Sequence, residues 1–148
     1  MKRIFFLLLS GLTAAFSMGC APLDKTPEET CEMLIDCGAT YTQDECLMDI
    51  GSRELSKECV DAMFDASCEE HFTAPPSYMD TCYDTCTVLG KACDKDDLKI
   101  CMGGREFVYD CKKVCRYQEA GDYSGSCGTV SPQGDVSEDG DVCWCYIQ

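Results

Sequence analysis

The sequence predicts a small disulfide-rich α+β fold, with a disulfide-stapled helical half followed by one helix laid on a small antiparallel sheet. Three observations carry that expectation. The chain has 15 cysteines in 148 residues, a density that belongs to proteins using bridges in place of a large core. Its first half repeats helix-start signals at short intervals. Its second half sets a Cys-x-x-x-Cys spacing before a Cys-x-Cys spacing, one matched to a helix and the other to a strand.

The chain opens with Lys2 and Arg3, then an apolar run from Ile4 to Leu9 extended by Leu12 and by Ala14 to Phe16. A membrane-spanning helix needs about 20 apolar residues, and this run is shorter, so residues 1–20 read as an export segment to be removed. The Ser17-Met18-Gly19-Cys20 sequence at its end resembles the lipobox of bacterial lipoproteins, with Gly19 and Cys20 matching and Ser17 standing where leucine is usual. The resemblance implies cleavage before Cys20 and an acyl anchor on its sulfur and amine, holding the protein to a lipid bilayer. Ala21 in place of aspartate implies sorting to the outer membrane of the cell envelope, facing periplasm or exterior. Cysteine parity agrees: with Cys20 acylated, 14 of the 15 cysteines remain and close seven bridges without a spare thiol.

Loss of residues 1–20 lowers the basic count from 12 to 10 against 27 acidic residues, a net charge of −17. That sign disfavours nucleic acid and anionic lipid surfaces as partners.

Residues 21–26 form a tether, and 27–92 a cysteine-rich helical region. Thr26-Pro27-Glu28-Glu29 combines an N-cap threonine, an N1 proline and an N3 glutamate, and Gly38 ends the helix that follows. Thr42 and Glu45 repeat the box, with Gly51 as the stop. A third helix is expected over 57–68, burying Cys59, Val60, Met63 and Phe64. A fourth, capped by Ser77, carries Met79, Cys82, Cys86 and Leu89 on one face. The nine-residue intervals Cys37 to Cys46 and Cys59 to Cys68 hint at a duplicated hairpin. The eight cysteines of this half, Cys31, Cys37, Cys46, Cys59, Cys68, Cys82, Cys86 and Cys93, allow roughly a hundred connectivities.

Residues 93–148 form the second domain. After Gly103-Gly104 a helix is expected over 105–117, and strands over 123–130 and 142–146, with a polar loop over 131–141. Cys111 and Cys115 lie one turn apart on a helix face, while Cys143 and Cys145 lie on one face of a strand. A helix crossing that strand can form two adjacent bridges. Gly125, lacking a Cβ, is expected where the helix approaches closely, and Cys127 is left to pair upstream.

The order Cys-x-x-x-Cys, Gly-x-Cys, Cys-x-Cys resembles the cysteine-stabilised αβ (knottin-like) fold of defensins and, more closely, of long-chain scorpion toxins. The segments that carry the likeness are Tyr109 to Cys115, Ser124 to Cys127 and Val142 to Tyr146. The resemblance implies bridges Cys101–Cys127, Cys111–Cys143 and Cys115–Cys145. It covers about the last third of the chain, and no cysteine follows Cys145 to form the toxins' additional terminal bridge.

No Cys-x-x-Cys redox motif is present, and no cofactor or metal is implied. His71, the sole histidine, has no companion nucleophile in a recognisable pattern and is expected at the surface. Asp94, Asp96 and Asp97 lack the glycine and distal glutamate of an EF-hand loop and read as a solvated turn or helix start. Tyr123, Trp144 and Tyr146 are the candidate binding residues, with Trp144 opposite the Cys143 and Cys145 sulfurs on its strand. The function expected is that of a membrane-anchored binding lipoprotein, not an enzyme, with an unidentified protein partner. The alternative is a toxin- or defensin-like effector acting on membranes or ion channels. From Cys93 onward 6 basic residues face 11 acidic ones, the wrong sign for cationic membrane attack.

Overall fold

Local capping chemistry sets the helices. In the computed structural model residues 25–118 and 121–146 are described; Cys20, the export segment and residues 21–24 of the tether lie outside them. The Thr26 hydroxyl accepts the Glu29 amide at 3.1 Å while the Glu29 carboxylate accepts the Thr26 amide at 2.8 Å. This closed box starts α1 (Pro27–Asp36), and Gly38, at φ +104°, follows its end. Thr42 and Glu45 start α2 (Gln43–Asp49) in the same way, and a 3₁₀ turn, Ile50–Ser52, continues it. Ser56 caps α3 (Lys57–Asp65).

In the first half two helices are shorter than the sequence predicts. The third stops at Asp65 because Ala66 turns extended and Ser67 with Glu70 forms a new capping box, which starts α4 (Cys68–His71). Cys59, Val60 and Met63 are buried, whereas Phe64 is only half-buried. The fourth expected helix is reduced to one turn, α5 (Met79–Cys82). Beyond it Tyr83 is extended, and Cys82 and Cys86 are drawn to different partners, Cys59 and Cys101. Val88 and Leu89 consequently stand in solvent.

The second half contains a sheet the sequence reading did not anticipate. Strands β1 (Gly90–Asp94), β2 (Asp97–Met102) and β3 (Arg105–Asp110) pair antiparallel in that order. Two-residue turns join them. Lys95 has φ +59° in the first, and Gly103 and Gly104 have φ +62° and +79° in the second; paired positive φ values are what a type I′ hairpin requires. The acidic run at 94–97 is thus a hairpin turn. The helix expected over 105–117 begins only at Cys111, because the glycine turn sends Arg105-Glu-Phe-Val-Tyr-Asp back along β2. Asp110 then caps α6 (Cys111–Tyr117), its carboxylate accepting the Lys112 amide at 2.8 Å. Strands β4 (Asp122–Gly128) and β5 (Val142–Tyr146) form a second antiparallel pair with an irregularity between Tyr123 and Cys127.

Seven disulfides hold these pieces. Cys31–Cys46, Cys37–Cys68 and Cys59–Cys82 staple the helical half, around a core of Cys31, Leu34, Cys46, Cys59 and Met63. The nine-residue intervals therefore do not mark a duplicated hairpin, since their cysteines pair elsewhere. Cys111–Cys143 and Cys115–Cys145 tie α6 to β5. The Cys101–Cys127 bridge is not formed. Cys101 bonds to Cys86 and Cys127 to Cys93, because β2 carries Cys101 beneath the 85–89 loop while β1 brings Cys93 to β4. Cys86 and Cys93 accordingly do not pair within the first half.

The two halves are joined by more than these bridges. A boundary at 92/93 would cut β1. The free side of β3 is covered twice by the first half. The Glu54 amide donates to the Val108 carbonyl at 2.7 Å. Farther along, the Glu106 amide donates to the Asp84 carbonyl at 2.9 Å and the Cys86 amide to the Gly104 carbonyl at 3.0 Å. Arg53 completes the joint. Its guanidinium grips both Asp49 oxygens at 2.7 Å, donates to the Tyr83 hydroxyl at 2.6 Å and lies over the Phe107 ring at 4.6 Å from the centroid. Burial acts to lower the Arg53 pKa, but Tyr83, Asp49 and Tyr109 hold it above its ordinary value. Among the described residues no helix is long and apolar enough to cross a membrane.

Candidate functional site

Period-2 alternation decides what each face of the three-stranded sheet presents. Lys91, Leu98, Ile100 and Tyr109 share one face, since Lys91 pairs with Ile100, and Leu98 with Tyr109. α6 and β5 stand opposite, fixed by their two bridges. Between these layers lies a cleft of about 390 Å³, near the lower end of the roughly 300–1,000 Å³ typical of small-ligand sites. Its walls are apolar: Leu98 and Ile100 from β2, Val114 from α6, Val142 and Cys143 from β5, with Met48 at the edge.

Four polar side chains, Asp49, Tyr109, Gln118 and Lys91, also line the cleft. Asp49 is committed, receiving Arg53 and, at 2.8 Å, the Tyr109 hydroxyl. Burial and the neighbouring Asp49 push the Tyr109 pKa up to about 12, against the pull of Arg53. The phenol therefore stays a donor. Gln118 donates its amide to the Met48 carbonyl at 2.5 Å. Lys91, by contrast, has no hydrogen bond or ion pair among the described residues. A second cleft of about 430 Å³ lies toward the other face of the sheet, and Lys91, on the edge strand β1, borders both. The wall of this second cleft is the exposed loop bearing Val88 and Leu89, and its Lys99 is already paired with Asp94 at 2.8 Å.

The three aromatic candidates are not brought together as one anchor. Trp144 is half-buried and its indole N–H donates to the Gly128 carbonyl at 3.0 Å, so the ring serves the β4–β5 pair. The Tyr123 hydroxyl donates to Asp96 at 3.2 Å, and burial together with Asp96 pushes its pKa up to about 12. Tyr146 is the exposed member, at 48 %. His71 is buried, with Nδ1 3.1 Å from the Tyr78 hydroxyl and Nε2 with no hydrogen-bond partner among the described residues, because Tyr78 folds back over α4. The sulfurs of Cys111, Cys127 and Cys143 lie within 4.8 Å of one another. Each is bonded to another sulfur, which leaves no thiolate to ligate a metal.

Lys91, Leu98 and Ile100 escaped the sequence reading because residues 90–102 carry turn residues and charges at both ends. The alternation Leu98-Lys99-Ile100 was the signal available. No protein-family model matches the chain, and neither a curated protein nor a solved structure matches it.

Proposed function

We propose that the chain is a binding lipoprotein of the cell envelope, anchored in the outer membrane through acylated Cys20, non-catalytic, and presenting a disulfide-fixed body to a protein partner. One observation carries this reading. The 14 cysteines from Cys31 onward are all consumed by seven disulfides, so of 15 cysteines only Cys20 is left, behind an apolar run and a small residue. The bridges themselves belong to an oxidising compartment.

Mass spectrometry of the mature N-terminus should find acylated Cys20, and Cys20→Ala should move the protein from the membrane to the soluble fraction. An unmodified N-terminus at another residue overturns the anchor. Pull-down from intact cells then identifies the partner. The second reading, an effector acting on membranes or ion channels, draws on the two bridges from α6 to β5 that the toxin family shares. It requires the released Cys20→Ala chain to change membrane conductance. Unaltered conductance rejects it.

A further inference from the structure

We infer that the cleft between β2, α6 and β5 binds a small apolar carboxylate, with Lys91 as its counter-ion. This deepens the binding reading by naming a ligand class, and does not depend on the anchor. A cation on the lining of a mainly apolar cleft selects for an anion with an apolar body. The chain carries 27 acidic and 12 basic residues, and among the described residues Arg53, Lys57, Lys99, Arg105, Lys112 and Lys113 form ion pairs with carboxylates, while Lys25, Lys91, Lys95 and Arg116 have none. Of these four, only the exposed Lys91 lines the cleft, whose other walls are mainly apolar. The other ion lining it, Asp49, is neutralised by two contacts at 2.7 Å from Arg53.

The preference follows from these groups. A cation meets Asp49 already satisfied and Lys91 repelling it. A neutral amphiphile gains the apolar walls but leaves the ammonium unpaired. A monocarboxylate gains both, its body against Leu98, Ile100, Val114 and Val142 and its head on Lys91. The volume of about 390 Å³ admits a medium-length alkyl or arylalkyl body rather than a diacyl lipid.

The test uses the full-length Cys20→Ala chain with its disulfides intact, titrated with decanoate and observed by methyl NMR. Saturable shifts are expected at Leu98, Ile100, Val114 and Val142. Lys91→Ala should weaken decanoate about five- to tenfold, the loss of one charge-assisted contact screened by solvent. Decylamine should leave those methyls unmoved. Shifts elsewhere, equal binding of decylamine, or full affinity in Lys91→Ala overturns the assignment. The substitution removes an exposed side chain on an edge strand, so the fold survives it. Because the soluble chain is used, failure here leaves the anchoring of Cys20 untouched, and failure of the anchor leaves this titration readable.

Discussion

His71 shows how a single side chain ties local burial to bulk conditions. Its ring lies against Tyr78, with 5.4 Å between centroids, and Nε2 is buried with no hydrogen-bond partner among the described residues. Burial holds the imidazole below its ordinary pKa, and nearby Glu70 only partly opposes that. The folded pKa is therefore lower than the unfolded value of about 6.5. Protonation favours the unfolded chain, so the stability His71 contributes is complete above that value and is lost as pH falls through the folded pKa. Denaturant titration should show the chain weakening as pH falls below about 6.5, before the ordinary carboxylate range is reached. His71→Phe should flatten that window. A slope unchanged by the substitution would assign the effect to the acidic groups instead. Nothing in the sequence around His71 signalled burial, because the contact comes from Tyr78 beyond a Pro-Pro break.

At the scale of elements, the caps were legible and the strands only partly so. Thr26, Thr42 and their N3 glutamates determine α1 and α2 through contacts within four residues, which is why the sequence alone places them. The β4–β5 pair and its two bridges to α6 were legible for a similar reason, since i, i+4 and i, i+2 spacings encode geometry directly. The β1–β3 sheet was not, because its pairing is set by two tight turns whose effect on the next six residues is not local. Gly125 illustrates a right position with a different reason. A Cβ there meets nothing within 4 Å, and the residue has φ +81°, so conformation and not helix approach demands glycine. Gly125→Ala should cost about 1–2 kcal/mol from the left-handed backbone, and Gly125→Leu, unbranched at Cβ, should cost about the same. A much larger loss for leucine than for alanine, measured by chemical denaturation, would restore the close-approach explanation.

For the molecule as a whole, the covering of β3 by residues 53–54 and 84–86 makes the halves interdependent. The cleft was illegible in the sequence for the same reason: Lys91, Leu98, Val114 and Val142 come from four strands and helices that no local pattern connects. The bridges also staple distant segments, with separations of 15 to 34 residues, and each contributes about 2–4 kcal/mol by restricting the unfolded chain. Refolding of reduced protein should therefore succeed in a glutathione redox buffer and fail under rapid oxidation, read by non-reducing peptide mapping. Equal yields of the seven native pairs under both conditions would contradict this.

The connectivity has a temporal side. Written in chain order, none of the seven bridges joins a cysteine to its immediate successor among the bridged fourteen: Cys31 passes over Cys37 to reach Cys46, and Cys86 passes over Cys93 to reach Cys101. A chain emerging from its N-terminus offers an oxidant the consecutive pairs first, and every one of those is wrong. Any consecutive pair that does form has to be undone by thiolate attack on the disulfide before the native set is complete. Cys31 and Cys37 are the first of the fourteen to be exposed, and neither reaches its native partner until Cys46 and Cys68 have followed.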